Sequence, residues 1–244
     1  MAGFWAVLWR EYLFFKRRFK TITTSSMVSP LLYLLTFGLG LGKSVHMEGV
    51  NYLYFLVPGI IAISTMNTSF GAIATPLSIA RLYDKTLEEY MIAPITNFSF
   101  AIGKIVAGAL RGLYAAAIIL LVAVFFGVSL NLSPLFIILL LLNCLVFSSL
   151  GFLAALKIKS HPDMARFNNF FITPMVFVCG TFFSLENVPQ LLRNMINLLP
   201  LTPASYGLRA VALNWELPVW APLIQVFYLV LFTGWGIAVY HRVE

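Results

Sequence analysis

Six stretches of mostly apolar residues, each long enough to cross a bilayer, follow one another along the chain with short breaks between them. They cover about Ile22–Gly42, Tyr54–Ala80, Ala101–Leu130, Pro134–Leu156, Arg166–Phe183 and Val219–Tyr240. A helix through the hydrocarbon core needs roughly 20 apolar residues. Within that core every backbone N–H and C=O must be satisfied by the protein itself, so only helices and closed barrels can span. Runs of this length select helices. The expected fold class is therefore an all-α membrane protein with six transmembrane helices, and the second and third are long enough to tilt or to project beyond the bilayer. Charged residues make up 10% of the 244, against about 25% in soluble domains. The 22 Phe, 10 Tyr and 5 Trp exclude a hydrated, disordered chain. No block between the runs is long enough to fold alone, so residues 1–244 read as a single transmembrane domain.

The net charge of +7 would fit a nucleic-acid partner, but its distribution points elsewhere. With both termini inside, the inner side holds Arg10, Lys16, Arg17, Arg18, Lys20, Arg81, Lys85, Lys104, Arg111, Lys157, Lys159, Arg166 and Arg242. Only Lys43, Arg193 and Arg209 fall outside. Lys and Arg concentrated on one side are the mark of cytoplasmic loops. The charge is thus a topology signal, and no nucleic-acid partner is expected. The start is aromatic and basic, without the short apolar core of a cleavable signal peptide, so the first span is expected to serve as an uncleaved anchor.

Residues 1–21 form an element of their own. On a helical wheel Trp5, Leu8, Trp9, Tyr12, Phe15 and Phe19 fall within an arc of about 120°. Arg10, Glu11, Arg17 and Arg18 lie away from it, and Lys16 and Lys20 can snorkel from its edge. This is the pattern of a helix lying in the membrane interface, with aromatics at headgroup depth and cations on anionic lipid. A plain basic flank to the first span is the simpler alternative. Residues 184–214, between the fifth and sixth spans, are apolar but cut by Pro189, Pro200 and Pro203. Proline disfavours helix at its own interior position and at the residue before it. Two short re-entrant helices on the outer side are expected, a form tolerated where the backbone is buried in protein.

Enzyme chemistry has no foothold. His46, His161 and His241 are scattered over loops on both sides, and no catalytic residue or metal site is expected. Cys144 and Cys179 lie in apolar runs and read as small buried side chains. Glu11, Asp84, Glu88, Glu89, Asp163 and Glu244 lie at inner loops or termini, and Glu48, Glu186 and Glu216 lie outside. An ion-driven carrier usually keeps an ionisable group at membrane depth, so the energy for any transport is expected from elsewhere. Gly38-Leu-Gly40-Leu-Gly42-Lys43-Ser44 imitates the end of a phosphate-binding loop, but it lacks a glycine at Phe37 and the strand-to-helix context. His161-Pro162-Asp163 reads as a turn, with Asp163 as cap to the fifth span. Asn131-Leu-Ser is a formal glycosylation sequon with nothing to indicate a eukaryotic secretory route.

The loop between the second and third spans is the informative one. It runs from Arg81 through Asp84, Lys85, Thr86, Leu87, Glu88, Glu89, Tyr90 and Met91 to Pro94-Ile95. Thr86 and Glu89 have the spacing of a capping box, which starts a short helix, and Pro94 stops it. Leu87, Tyr90 and Met91 share a face beside Arg81, Asp84, Lys85, Glu88 and Glu89. An apolar edge with a charged rim suits docking on another protein; an ordinary solvated loop is the alternative.

On these residues the chain resembles the ABC type-2 permeases, the membrane subunits of exporters for drugs, polysaccharides and lipo-oligosaccharides. The family pattern here is Arg, then Gly-Thr-Leu-Glu, two apolar residues and Pro-Ile. This sequence has Arg81, Thr86-Leu87-Glu88 and Pro94-Ile95, and departs at Lys85 (often Gly) and at Tyr90-Met91 (often Leu). A second block agrees: Gly180-Thr-Phe182-Phe183, Val188-Pro189, Asn197-Leu-Leu-Pro200, Pro203 and Gly207-Leu-Arg209. Val57-Pro58-Gly59 matches a third feature. The resemblance covers nearly the whole chain and implies a multi-pass protein of the bacterial inner membrane, working as a homodimer above two copies of a separate ABC ATPase subunit. That partner would bind ATP and Mg; this chain itself carries no cofactor. Arg81, Lys85, Thr86, Leu87, Glu88, Tyr90, Met91 and Pro94 would form the coupling helix and its flanks. The first, second and fifth spans would line the path, with Tyr33, Phe37, Asn67, Thr68, Ser69, Asn168, Asn169, Phe171 and Met175 as candidate lining residues, although for any single one of them helix packing or hydrogen bonding between helices is the favoured reading. Rings and amides together suit an amphipathic substrate. Lys104 and Arg111, seven residues apart on one face, would meet lipid phosphates, the ATPase or an anionic headgroup. An ATP-independent carrier or channel, and a membrane assembly scaffold, are the alternative functions.

Overall fold

The computed structural model describes residues 2–40, 45–185 and 188–242. Lys43, Glu186 and Glu244, the Gly42-Lys43-Ser44 end of the phosphate-loop imitation, and the side chain of Met91 lie outside what is described. Helices α1 (Ala2–Arg17) and α2 (Phe19–Tyr33) are separated by Arg18 alone, and α2 continues as a π-helical turn over Leu34–Leu39. A hairpin of β1 (His46–Met47) and β2 (Val50–Asn51) turns through Glu48 and Gly49, both at positive φ, as a two-residue hairpin turn requires. It leads into α3 (Tyr52–Leu82), followed by α4 (Thr86–Ile92), α5 (Asn97–Phe125) and α6 (Pro134–Lys157). Helix α7 (His161–Phe167), a second π turn over Asn168–Ile172, and α8 (Thr173–Val178) form one broken rod. Helices α9 (Gln190–Asn197) and α10 (Leu201–Ala212) are short, and α11 (Trp220–Tyr240) is again long.

Among the described residues four helices, α3, α5, α6 and α11, are long and apolar enough to cross a membrane. The other two expected spans are helical but broken. The rod from His161 starts five residues before the boundary read at Arg166 and ends at Val178 rather than Phe183. Its π turn has a local cause: Pro174 has no N–H to give and its ring crowds the carbonyl of Phe170, which lies inside the turn. The cap of this rod is Ser160, whose Oγ accepts from the Asp163 N–H at 3.2 Å and donates to the Asp163 carboxylate at 2.6 Å. Asp163, expected as the cap, instead sits in the first turn. Pro200 precedes α10, but Pro203 lies within its first turn and does not break it. There the missing N–H has no helical acceptor to lose.

Helices α3, α5 and α6 pack through small residues. A Cβ on Gly151 of α6 would come within 2.7 Å of the Phe70 carbonyl oxygen on α3. Gly108 lies under Ser148, whose Oγ donates to the Ile105 carbonyl at 2.7 Å, and Gly112 faces Ser69 and Cys144. Asn143 Nδ2 donates to Thr65 Oγ1 at 2.9 Å and to the Ala62 carbonyl at 3.2 Å. Between helices in lipid, where apolar area gives little net drive, close backbone approach and such bonds supply the adhesion. Cys144 and Cys179 are both buried and free. Helix α11 is the least covered of the four, with 17% of its apolar window buried against 78% for α3.

Loop contacts define two ends of this bundle. At one, Arg81 bonds the last carbonyls of α6, and Asn97 lies 3.2 Å from His241. At the other, Tyr52 donates to the Phe182 carbonyl at 2.9 Å and Asn131 to Asn214 at 2.6 Å. Lys157, Lys159 and Arg242 lie with Arg81 at the first end, and Arg10 sits on the Tyr90 ring of α4.

Candidate functional site

Helix α1 lies along α5, with Val7 fully buried against Gly103 and Gly3 against Ile95. The side turned to α5 also carries Glu11. One carboxylate oxygen takes Lys104 Nζ and the other takes Arg111 Nη2 at 2.7 Å, with all three side chains no more than 13% exposed. Arg111 further approaches the Ala72 carbonyl of α3 and stands 5.1 Å from the Phe14 ring. Lys104 and Arg111 do share a face, and within the subunit both pair with Glu11, whose single negative charge offsets one of their two positive ones. Sequence reading missed this triad. The available signal was a lone acid, since Glu11 is the only Asp or Glu before Glu48.

Trp5, Trp9 and Tyr12 are each more than half exposed. With Phe15, Leu110 and Tyr114 they frame a groove of about 720 Å³ between α1 and α5, floored by Glu11 and Arg111. Arg17 and Arg18 are exposed, while the Arg10 guanidinium sits 4.6 Å above the Tyr90 ring.

Helix α4 begins with Lys85 in the left-handed region, at φ 53° and ψ 11°. That conformation favours glycine, where this chain has lysine. The expected Thr86–Glu89 capping box does not form: Lys85 is the N-cap, without a side-chain bond, and Thr86 is already helical. Leu87 is 3% exposed, in a cluster with Val7, Leu77 and Phe100. Tyr90 packs on Phe100 at 4.7 Å. The apolar edge expected to meet another protein is therefore seated on the chain's own α1, α3 and α5. Tyr83, Lys85, Glu88, Glu89 and Ile92 face outward, Ile92 at 86% exposure, and Pro94 is exposed just beyond. Arg81 does not point outward either: its Nη1 donates to the carbonyls of Ala155, Leu156 and Ile158, tying the end of α3 to the end of α6. Because a non-glycine residue at left-handed φ costs about 1 kcal/mol, Lys85→Gly is expected to raise the melting temperature in detergent, and Lys85→Val to lower it. Equal melting of the two variants would show that this turn carries no strain.

At the opposite end, three separated sequence blocks converge on Arg209 of α10, which is 2% exposed. Its Nε donates to the Phe55 carbonyl at 3.0 Å, and its Nη2 to the carbonyls of Gly180 and Thr181 at 3.1 and 3.3 Å. The guanidinium lies 3.6 Å from the Phe55 ring centroid. Gly59 makes the room, since a Cβ there would meet Thr181 Cγ2 at 2.7 Å and Arg209 Nη2 at 3.2 Å. Pro58, which has no N–H to give to the Tyr54 carbonyl, interrupts the helical ladder of α3 at this same turn.

The candidate lining residues fall into two groups. Tyr33 and Phe37 pack on Phe182 at 5.2 and 5.1 Å. Asn67, Asn169 and Phe171 are exposed, Thr68 and Asn168 half-buried, and Met175 nearly covered. Phe171 stacks on Phe167 at 5.0 Å, and Phe167 on Phe70 at 6.0 Å. Ser69 is fully buried against Gly112, on the other side of α3 from Asn67. Phe37, Asn168, Asn169 and Phe171 all lie in π turns, which recur at functional positions of helices. Among the described residues no group of three or more His, Cys, Asp or Glu comes together.

Fold and nodes together define a multi-pass helical membrane protein, with a short helix, α4, braced from behind by Leu87 and Tyr90 and exposed on its outer side. The chain belongs to the ABC-2 type transporter family, whose model matches residues 2–213. It is 28% identical over 198 residues to the inner membrane transport permease YadH of Escherichia coli (strain K12), covering 79% of this chain and 77% of YadH. It is 27% identical over 226 residues to nodulation protein J of Rhizobium meliloti, covering 91% and 84%. Nodulation protein J of Bradyrhizobium diazoefficiens is 29% identical over 214 residues, covering 86% and 81%. As a permease of this family the chain is not itself an ATPase.

Proposed function

We propose that this chain is the permease subunit of an exporter driven by ATP hydrolysed in a separate ABC ATPase. Two copies form a homodimer over two ATPase subunits, with six spans each, both termini cytoplasmic, and α9 and α10 dipping back from the outer side. Residues 19–39 and 161–178 supply the two spans beyond the four long helices; at 1.5 Å per residue each helical path is about 27–32 Å, enough for the hydrocarbon core. The observation that carries the reading is the two-sided character of α4. Its inner side is fixed by Leu87 and Tyr90 to α1, α3 and α5, while Glu88, Glu89 and Ile92 stand free for a partner. A push on that outer side moves packed helices rather than a loose loop. The substrate class is amphipathic, moved from the cytoplasm or inner leaflet: the aromatic groove between α1 and α5 accepts apolar groups, and the amides of Asn67, Asn168 and Asn169 accept polar ones.

The test is Glu88→Ala/Glu89→Ala in the co-expressed complex. The variant is expected to keep the melting temperature of the parent while export falls at least tenfold. Leu87→Asp, by contrast, should lose folded protein altogether. Undiminished export by the Glu88→Ala/Glu89→Ala complex would remove α4 from the coupling role. Flux through this chain alone in liposomes, driven by an ion gradient, would replace the proposal with a carrier.

A further inference from the structure

Between the ends of α6 and α11, at the α4 end of the bundle, lies a hollow of about 300 Å³ bounded by Arg81, Lys157, Lys159, Arg242, Trp235 and Val239. Among the described residues no carboxylate lies within 4 Å of Lys157, Lys159 or Arg242. That contrasts with the nearby triad, where Glu11 answers both cations. Lys157 and Lys159 are exposed, Lys157 Nζ stands 5.1 Å from the Trp235 ring centroid, and Arg81 is held in place by the α6 carbonyls. The hollow is also continuous with an apolar stripe. Phe227, Leu231 and Trp235 recur every four residues on the poorly covered α11, at 61%, 41% and 50% exposure, and the stripe ends at Arg242. From Phe227 to Trp235 it runs about 12 Å along the helix axis.

We propose that this hollow binds an anionic phospholipid, its phosphodiester held by Lys157, Lys159 and Arg242 and one acyl chain lying along Phe227–Trp235. A soluble protein would answer the cations but has no use for an apolar stripe rising into the bilayer; a lipid matches both. Trp235, with an apolar body and a polar N–H, is placed at the level where chain meets headgroup. The proposal takes from the exporter reading only which leaflet is occupied. A nanodisc presents both leaflets, so an inverted topology would leave the outcome below unchanged.

The experiment places the full chain in nanodiscs containing brominated phosphatidylglycerol or brominated phosphatidylcholine at equal mole fraction. Fluorescence quenching specific to Trp235 is taken as the difference between the parent and Trp235→Phe. Each basic residue near a charged lipid surface is worth about a factor of five, so phosphatidylglycerol is expected to quench with at least fivefold higher affinity. In Lys157→Gln/Lys159→Gln/Arg242→Gln the two lipids should become equal. Equal quenching in the parent, or a preference that survives the triple substitution, would overturn the proposal. So would loss of the preference in millimolar inorganic phosphate, which would make the hollow a site for free phosphate. A triple variant that loses its ATPase partner while keeping its lipid preference would assign the cations to the protein interface instead.

Discussion

Arg209→Leu is expected to abolish recovery of folded protein. Its side chain donates to three buried carbonyls, of Phe55 on α3 and of Gly180 and Thr181 after α8. Each orphaned polar group costs about 1–3 kcal/mol, and the whole stability of a domain is about 5–15 kcal/mol. Arg209→Lys keeps the charge but replaces a planar fork by a single point donor, which cannot reach carbonyls from two elements at once. It should fold with a melting temperature lowered by about 10 °C. The check is size-exclusion profile and thermal melting after mild detergent extraction: Leu in the aggregate, Lys monodisperse but weak. Gly59→Val, which drives a side chain into Thr181, should resemble Leu. A monodisperse Arg209→Leu protein with parental melting would show that this node holds nothing together.

The second large effect is expected at Glu11. Glu11→Ala leaves Lys104 and Arg111 buried without a counter-charge, and breaking a buried ion pair from one side costs about 3–5 kcal/mol. Protease sensitivity of residues 1–20 should rise as α1 loosens from α5, and melting should fall sharply. The informative control is Glu11→Ala/Lys104→Met/Arg111→Met. Apolar residues of similar volume commonly match or exceed a buried ion pair in stability, so this variant should recover most of the lost melting temperature. A triple variant no better than Glu11→Ala would mean that the carboxylate serves something other than charge balance.

The contrast between these two nodes shows what was legible in the sequence. Span positions were readable because hydrocarbon thickness fixes a length, and Pro134–Leu156 agrees with α6 to within one residue. The broken rod from His161 was not placed well, because a π turn depends on how Pro174 is accommodated and not on hydropathy. The wheel grouped Trp5, Trp9 and Tyr12, which are exposed, and Leu87 with Tyr90, which pack inward. It could not tell which neighbour each face meets, and for α4 that neighbour is the chain itself. Pairings across distance were the least legible. Nothing local to Glu11 announces Lys104 and Arg111, and Arg209 read only as the last residue of a motif. The meeting of Phe55, Gly59, Thr181 and Arg209 is a property of the assembled bundle.

The Glu11 triad also fixes an order of events in biosynthesis. Glu11 lies 93 residues before Lys104 and 100 before Arg111. At about 5–20 residues per second of translation, α1 waits roughly 5–20 s for its cations. Throughout that interval its carboxylate has no buried partner and must stay hydrated, while Trp5, Trp9 and Tyr12 on the same helix are exposed. Docking of α1 is thus a late step that waits on α5, and until then its exposed aromatics are expected to moor it to the membrane. A chain truncated before Lys104 should keep α1 on the membrane yet leave it open to protease.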